Sequence, residues 1–537
     1  MTRTMVDVDV MVIGAGFAGL YAVHRAASAG LSALGVEAAP DVGGTWYWNR
    51  YPGARCDVES VDYSYSFDDD LQQSWTWTER FAAQPEILAY LQHVADRFDL
   101  RRHYQFGVDV VAASFEGGCW QVRTAAGQTY AAQFLVCATG CLSAVNRPDI
   151  PGAGEFAGQV YFTAAWPRED PDLRGKRVGL IGTGSSGIQA VPIIARDADQ
   201  LVVFQRSANY SVPMPNRPWS PEEQRQIRER YPERRRLSAY ASAGTPHGTY
   251  AKNAVDTDPW ERADALWKRW REGGVLFAKT FPDQNSDPAA NDIARVFAEE
   301  RIREIVDDPA VAADLIPGDH PIGSKRICTD AGYYATFNRG NVRLVNLRRE
   351  PIDAITADDV RTINATYPCD VLIFATGFDA LTGALTRIDP TGPGGERLRD
   401  IWAGGPVTFL GLMIPGLPNL FSISGPGSPS VLANMVVHAE VQVDWVMDLI
   451  LAARARGLDE VEPRADAARA WTDHVAHAAE QTLFTKAASS WYLGANIDGK
   501  KRTFMPYTGG FGTYRRHCEL IARTGYAGLV LTTHTGH

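Results

Sequence analysis

The chain has 537 residues, 45% of them hydrophobic, and a formal net charge of −10 at pH 7. That length accommodates about three domains of ~150 residues, each with a sizeable core. The acidic balance, with Lys/Arg and Asp/Glu intermixed, argues against a nucleic-acid or anionic-membrane surface and favours a small-molecule partner. Gly14, Gly16 and Gly19 break the first apolar run, and no stretch reaches the length of about twenty apolar residues that a membrane span needs. The expectation is a cytoplasmic protein with no membrane or nucleic-acid partner, a monomer or weak homo-oligomer. Seven scattered cysteines form no C-x-x-C pair and no His/Cys cluster at zinc spacing, so no metal is expected.

In chain order, VDVDVMVIGAGFAGLYAVHRAASAG reads as a β-branched strand, a glycine turn and a helix, and LSALGVE as a second strand. Gly14 permits the tight bend, Gly16 lets backbone approach a pyrophosphate, and Gly19 packs helix on strand. The helix N-terminus then faces the phosphates. Glu37 ends the second strand, 23 residues past Gly14, where a carboxylate accepts hydrogen bonds from ribose hydroxyls and repels a 2′-phosphate. That suits FAD or NAD. The plain alternative, a glycine turn with a surface glutamate, does not explain why strand, glycines, helix and acid occur in this order.

FLVCATG, residues 134–140, follows as a further strand. FAGQVYFTAAWP, residues 156–167, then nearly spells the pattern F-x-G-x-x-x-H-x-x-x-W-P, with Phe162 where the pattern has histidine. A second strand–turn–helix–strand grammar starts at Lys176: GTGSSG supplies Gly182, Thr183, Gly184, Ser185, Ser186 and Gly187, and the next strand ends in Arg206 and Ser207. A cation and a hydroxyl there replace repulsion with a site for the 2′-phosphate of NADP, although a solvated surface arginine reads the same way. Opposite charge at the two ribose positions implies two different dinucleotides, and FAD plus NADPH is the simplest pair.

Trp219 to Asp319 has helical periodicity rich in Arg and Glu and few strand signals, which predicts a helical insertion. DVLIFATGF, residues 370–378, is a second strand ending in Ala-Thr-Gly. Beyond it the pattern predicts strands around Val407–Ser424, an amphipathic helix near Ala433–Arg456 and a Gly-rich C-terminal stretch. The expected fold is α/β with two Rossmann-like dinucleotide-binding domains. Residues 1–141 and 379–537 form the FAD domain, 142–214 and 325–378 the NADP domain, and 215–324 the insertion. A disulfide reductase would need a redox-active cysteine pair; Cys137 and Cys141 straddle a strand end and read as packing residues.

GGTWYWNRYPGARCD, residues 43–57, resembles the Baeyer–Villiger monooxygenase signature, with Gly44, Trp46, Tyr51, Pro52, Gly53 and Asp57 all matching. The resemblance continues through GTGSSGIQ, VFQRSANYSVP, GSKRICTDAGYYATFNRGNV, GPGSPSVLANM and SSWYLGANIDGKKRTFMPYTGGF, covering nearly the whole chain. The later segments look most like the phenylacetone and steroid branch. The resemblance implies that NADPH, O2 and FAD convert a ketone to an ester or lactone through a C4a-peroxyflavin. It also implies site roles. Arg326, in GSKRICTD, matches the arginine that stabilises the anion, and Asp57 its carboxylate partner. Lys325 joins Arg206 at the 2′-phosphate, and Thr45 and Trp46 join the cofactor-contacting residues. Trp491 covers nicotinamide and ketone, in a lid hinged at Gly494 and Gly499. Ser430, Val431, Leu432 and Met435 border the ketone pocket. Read without the family, Lys325-Arg326 is a solvated turn, Asp57 a turn aspartate and Trp491 a core aromatic.

Two other readings stay open: an N- or S-hydroxylating flavin monooxygenase, which does not need the signature, and an uncoupled NADPH oxidase. Phe162 keeps aromatic bulk and loses both ring nitrogens, hence one or two hydrogen bonds of about 0.5–1.5 kcal/mol net each. That predicts altered domain poise and retained chemistry.

Overall fold

The computed structural model describes residues 6–497 and 499–533. Strand Val8–Ile13 lies between parallel neighbours Ala33–Glu37 and Thr129–Cys137, and Tyr104–Phe106 extends the sheet beyond Ala33–Glu37. These strands are buried on both faces, which is why they read as near-continuous apolar runs. The far side of Thr129–Cys137 is shared. Its first half pairs with the antiparallel strand Cys119–Thr124, and its last residues pair with Leu420–Ser422, returning from almost three hundred positions later.

The second sheet is entirely parallel, in the order Val342–Asn346, Gln200–Gln205, Arg177–Ile181, Val371–Phe374, Gln159–Phe162. In both sheets a strand, a glycine turn and a helix precede the next parallel strand: helix Phe17–Ser28 in the first, Ser185–Asp197 in the second. The two sheets therefore repeat one nucleotide-binding design.

Between Gln200–Gln205 and Val342–Asn346 of the second sheet, Pro221–Ser238, Pro259–Glu272, Pro288–Ile305 and Pro309–Leu315 are helices. Each starts with a capping side chain followed by proline: Ser220, Asp258, Asp287 and Asp308 accept from backbone N–H groups of the first turn. Proline at the first helical position lacks the N–H that would be orphaned there. The insertion leaves the second sheet's domain after Ser211–Pro213 and re-enters at Cys328–Asp330, and these two short strands pair in parallel as its neck.

Two C-terminal expectations are corrected. Of the strands expected around Val407–Ser424, Leu420–Ser422 alone forms. Leu410 and Gly411 have positive φ, and Pro415, Gly416 and Pro418 follow, so the apolar run folds into turns. The expected amphipathic helix is Met435–Ala455, but it is buried on nearly every side, packing against Phe17–Ser28 and Phe511–Arg523. Its polar residues His438, Glu440 and Gln442 face protein: Glu440 accepts from Ser66 N and Oγ and from Phe67 N.

Candidate active site

The first glycine turn is built as close approach requires. A Cβ at Gly14, where φ is +111°, would lie 2.4 Å from the Ala138 carbonyl oxygen, and one at Gly19 would lie 1.9 Å from that of Gly14. A Cβ at Gly16 would meet only another glycine, Gly44, at 3.4 Å. The turn is thus a cradle with no side chain over the N-terminus of helix Phe17–Ser28, where a pyrophosphate fits. The second turn repeats it: Gly182 packs on the Ala375 carbonyl, Gly187 on Gly182, and a Cβ at Gly184 would meet nothing within 4 Å. Both Ala-Thr-Gly strand ends thereby acquire a role, since Ala138 and Ala375 supply the backbone wall behind each first glycine.

Glu37 is buried, with Oε2 accepting from Ala15 N at 2.7 Å and Oε1 from Ala39 N at 2.8 Å. Burial raises its pKa, and these backbone donors oppose the shift. A carboxylate has about four lone-pair sites, so capacity for ribose hydroxyls remains. At the second turn the Thr183 hydroxyl donates to the Ser207 carbonyl, Ser185 Oγ lies 3.3 Å from Cys328 Sγ, and Ser186 Oγ lies 3.1 Å from Thr163 Oγ1. Arg206 is exposed and Ser207 half-buried at the end of Gln200–Gln205.

Asp57 and Arg326 meet. Arg326 Nε donates to Asp57 Oδ2 and Nη2 to Oδ1, each at 2.8 Å, across 269 positions of chain. Nη1 donates to the Val431 carbonyl at 2.6 Å. Three of a guanidinium's five donors are spent on positioning, and 26% of the Arg326 side chain stays accessible. Burial works against its charge, but the adjacent Asp57 carboxylate outweighs that and raises its pKa further. The Arg326 guanidinium is consequently a permanent cation, held in place by Asp57 and still partly accessible.

The signature segment explains how the two partners reach each other. Tyr51 hydroxyl donates to Gln189 Oε1 at 2.8 Å, and Gln189 Nε2 donates to the Arg55 carbonyl at 3.1 Å. Gly53 has φ of +82°, and a Cβ there would sit 2.4 Å from the Gln189 carbonyl oxygen. The segment between the first sheet and Asp57 is therefore clamped onto helix Ser185–Asp197 of the second. On the other side, Lys325 and Arg326, with Ile327 after them, lead into the neck strand Cys328–Asp330. Their side chains go to different partners: Arg326 turns to Asp57, whereas the charges acting on Lys325 are Asp319, Arg348 and Arg206.

Val431, Leu432, Met435 and Trp491 all belong to one apolar cluster with Cys141, Leu381 and Tyr492. Ser430 begins that loop, fully buried and with φ of +43°, a conformation that side chains other than Gly rarely adopt. Trp46 is buried with Nε1 near the Tyr63 hydroxyl, and Thr45 is exposed. Trp491 is half-buried, its ring 4.5 Å from that of Tyr492. Gly494 and Gly499 both have positive φ, and Asp498 between them lies outside the described residues. Tyr492 was not singled out from the sequence. It is buried beside Arg326, its hydroxyl pushed up to about 12 by desolvation foremost. Its place directly after Trp491 was the available signal.

Among the described residues, Glu59, Asp62 and His247 bring one ligand atom each within 4.8 Å of one another. Arg234 donates to both carboxylates and Arg80 to Glu59, so the group is an ion-pair network. The seven cysteines are all buried, and no helix among the described residues is long and apolar enough to cross a membrane.

Residues 11–251 match a family model described as pyridine nucleotide-disulphide oxidoreductase. A Baeyer–Villiger monooxygenase of Pseudooceanicola batsensis is 41% identical, over 98% of this chain and 97% of that one. A phenazine N-monooxygenase of Lysobacter antibioticus is 39% identical, over 97% of each. A solved structure of an oxidised steroid monooxygenase bound to NADP superposes with a TM-score of 0.94 at 53% identity, covering 98% of this chain and 99% of that one. The chain belongs to the Baeyer–Villiger monooxygenases, flavoprotein oxidoreductases of two-domain α/β fold.

Proposed function

We propose that this enzyme uses FAD, NADPH and O2 to convert a small-molecule ketone to an ester or lactone, in the cytoplasm, with the Asp57–Arg326 pair as its chemical centre. The observation that carries the reading is that bidentate pair, anchored a third time on Val431. FAD held at the first cradle and reduced by NADPH at the second supplies, with O2, the oxygen atom that is inserted.

The chain's residues do the rest. Asp57 holds the guanidinium in one plane, so its two remaining donors are preorganised for the negative charge that develops on oxygen during the reaction. Because Nη1 is tied to the Val431 carbonyl, the loop Ser430–Met435 and the positive charge move as one unit. A ketone resting on Val431, Leu432 and Met435 is thereby positioned relative to Arg326. Trp491 and the apolar cluster around it exclude water from that space. Lys325, Arg206 and Ser207 bind the 2′-phosphate, and Glu37 the FAD ribose. Thr45, Trp46 and the two glycine turns complete the nucleotide contacts. In this reading residues 1–141 and 379–537 form the FAD domain, 142–214 and 325–378 the NADP domain, and 215–324 the insertion.

A second reading, oxygenation at nitrogen, is favoured by the phenazine N-monooxygenase among the relatives. The test incubates the holoenzyme with NADPH and parallel panels of ketones and aromatic N-heterocycles, identifying products by mass spectrometry. Ester or lactone from the ketones is expected; N-oxide alone would replace the first reading with the second. Arg326→Ala should lower ester formation about 10²–10³-fold while NADPH still reduces the flavin. Full ester yield from that variant would remove Arg326 from the chemistry.

A further inference from the structure

One short segment of the insertion runs from Asp57 to the far side of the loop Ser430–Met435. Gly273 and Gly274, both with positive φ, end helix Pro259–Glu272, and Val275–Lys279 follows as one stretch of 3-10 helix. At its start a Cβ on Gly274 would lie 3.7 Å from the Phe81 ring and 3.9 Å from the Asp57 carbonyl oxygen. At its end Lys279 Nζ donates to Ser242 Oγ at 3.4 Å. Ser242 lies in a stretch that supports the loop: the Ala243 carbonyl accepts from Asn434 N and the Ser242 carbonyl from Phe511 N, each at 2.9 Å. Five residues of 3-10 helix measure about 10 Å. One end of the segment therefore stands at Asp57, and the other carries an ammonium to the opposite edge of the same region.

That ammonium has no charged partner. Among the described residues Lys279 makes no ion pair, and the surrounding protein lowers its pKa to about 8 from the usual 10.5 with no carboxylate to offset the shift. Lys279 is nonetheless only half-buried, and Ser242 is exposed. A cation so enclosed and still reachable lies in a cleft. Its neighbours do not satisfy it: Phe277 and Phe281 on either side are buried in an apolar cluster, and Ser242 offers one hydroxyl against three ammonium donors. Three residues beyond Ser242, the Thr245 hydroxyl is buried with no hydrogen-bond partner among the described residues. Donors exceed acceptors here, and a desolvated ammonium without a counter-charge is unfavourable until an anion joins it.

We propose that Lys279 is an anion-binding end of the substrate pocket, and that the ketone this enzyme takes is a keto acid whose carboxylate lies at the end remote from the reacting carbonyl. This rests on the ketone reading given above. Lys279 and Ser242 hold the carboxylate by charge-assisted hydrogen bonds, and the segment Val275–Lys279 fixes the separation between that anchor and Asp57 at about 10 Å. The carboxylate thereby decides which end of the molecule is presented to Arg326.

The test compares benzylacetone carrying a para-carboxylate with the methyl ester of the same compound, in wild type, Lys279→Met and Lys279→Arg. Binding to the enzyme loaded with FAD and NADP+ is read from the flavin absorbance, and turnover with NADPH from the oxygen-insertion product by mass spectrometry. Wild type should bind the carboxylate about tenfold more tightly than its methyl ester, as one charge-assisted contact implies. Lys279→Met should bring the two affinities to within about twofold, Lys279→Arg should keep most of the preference, and the KM ratio of the two compounds should follow the same course. No preference in wild type, or a preference that survives in Lys279→Met, would leave Lys279 as a lysine bonded to Ser242 and overturn the proposal. A preference that depends on Lys279 in binding, with neither compound oxygenated, would instead overturn the ketone reading and leave the anion site standing.

Discussion

Phe162 is the last residue of its strand and faces Phe374 on the neighbouring one, with ring centroids 5.0 Å apart and planes 18° from parallel. The Arg147 guanidinium lies over the same ring, 4.4 Å from its centroid. Arg147 follows Asn146, which exchanges hydrogen bonds with Thr376 and Gly377 on the second crossing between the domains. A phenyl ring in the histidine position thus grips the linker by stacking and cation–π attraction, where an imidazole would use hydrogen bonds. Phe162→Leu should lose about 1–2 kcal/mol from these contacts, read by thermal unfolding, and should release more H2O2 per NADPH. In Phe162→His, Arg147 depresses the new imidazole's pKa, so its contribution is present above about pH 6.5 and lost as pH falls. That variant should match wild type at pH 8 and unfold at lower temperature near pH 5.5. Equal H2O2 release from all three proteins would confine residue 162 to packing.

At the scale of elements, the segment over the apolar cluster is fastened to the interdomain crossing. Lys500 pairs with Asp379, and Asn496 Nδ2 donates to the Phe378 carbonyl at 2.8 Å. Trp491 is therefore tied through nine residues of chain to the strand exit that closes the second sheet. Lys500→Ala should leave flavin reduction by NADPH unchanged and lower ester per NADPH, with the difference recovered as H2O2; unchanged coupling would mean that this ion pair does not govern closure. The helices of the insertion were legible as a class, since their Arg/Glu-rich periodicity and the Ser-Pro and Asp-Pro starts are local features. The helix Met435–Ala455 was misread as amphipathic because its polar residues His438, Glu440 and Gln442 look solvent-facing in sequence. Distant elements bury them.

Glu440 carries that burial into the stability of the whole molecule. Desolvation foremost raises its pKa to about 7 from the usual 4.5, against three hydrogen bonds from Ser66 and Phe67. The folded protein therefore holds this proton more tightly than the unfolded chain. The associated stability is complete below about pH 4.5 and is lost as pH rises through about 7. Glu440→Gln keeps an acceptor for the Ser66 and Phe67 amides and removes the titration. Relative to that variant, wild type should lose about 2–4 kcal/mol between pH 5 and pH 8, measured by denaturant unfolding at both values. Parallel curves would mean that Glu440 is already solvated or paired in the folded state.

What the sequence by itself determined is everything written in short spacings. Two glycine turns, an acid at Glu37 against a cation and a hydroxyl at Arg206 and Ser207, and the run from Gly43 to Asp57 are legible through residue type and interval, because each is a contiguous piece of backbone whose spacing is set locally. Arg326 was legible through its resemblance to a family, for a Lys-Arg pair in isolation says nothing. Only the tertiary structure decided what distant residues do together. Asp57 and Arg326 close a pair across 269 positions, Tyr492 comes to rest beside them, Lys279 arrives next to Ser242, and Arg147 covers Phe162. Such meetings are set by strand order, by the neck of the insertion and by the clamp at Gly53, and no local periodicity encodes those long-range registers.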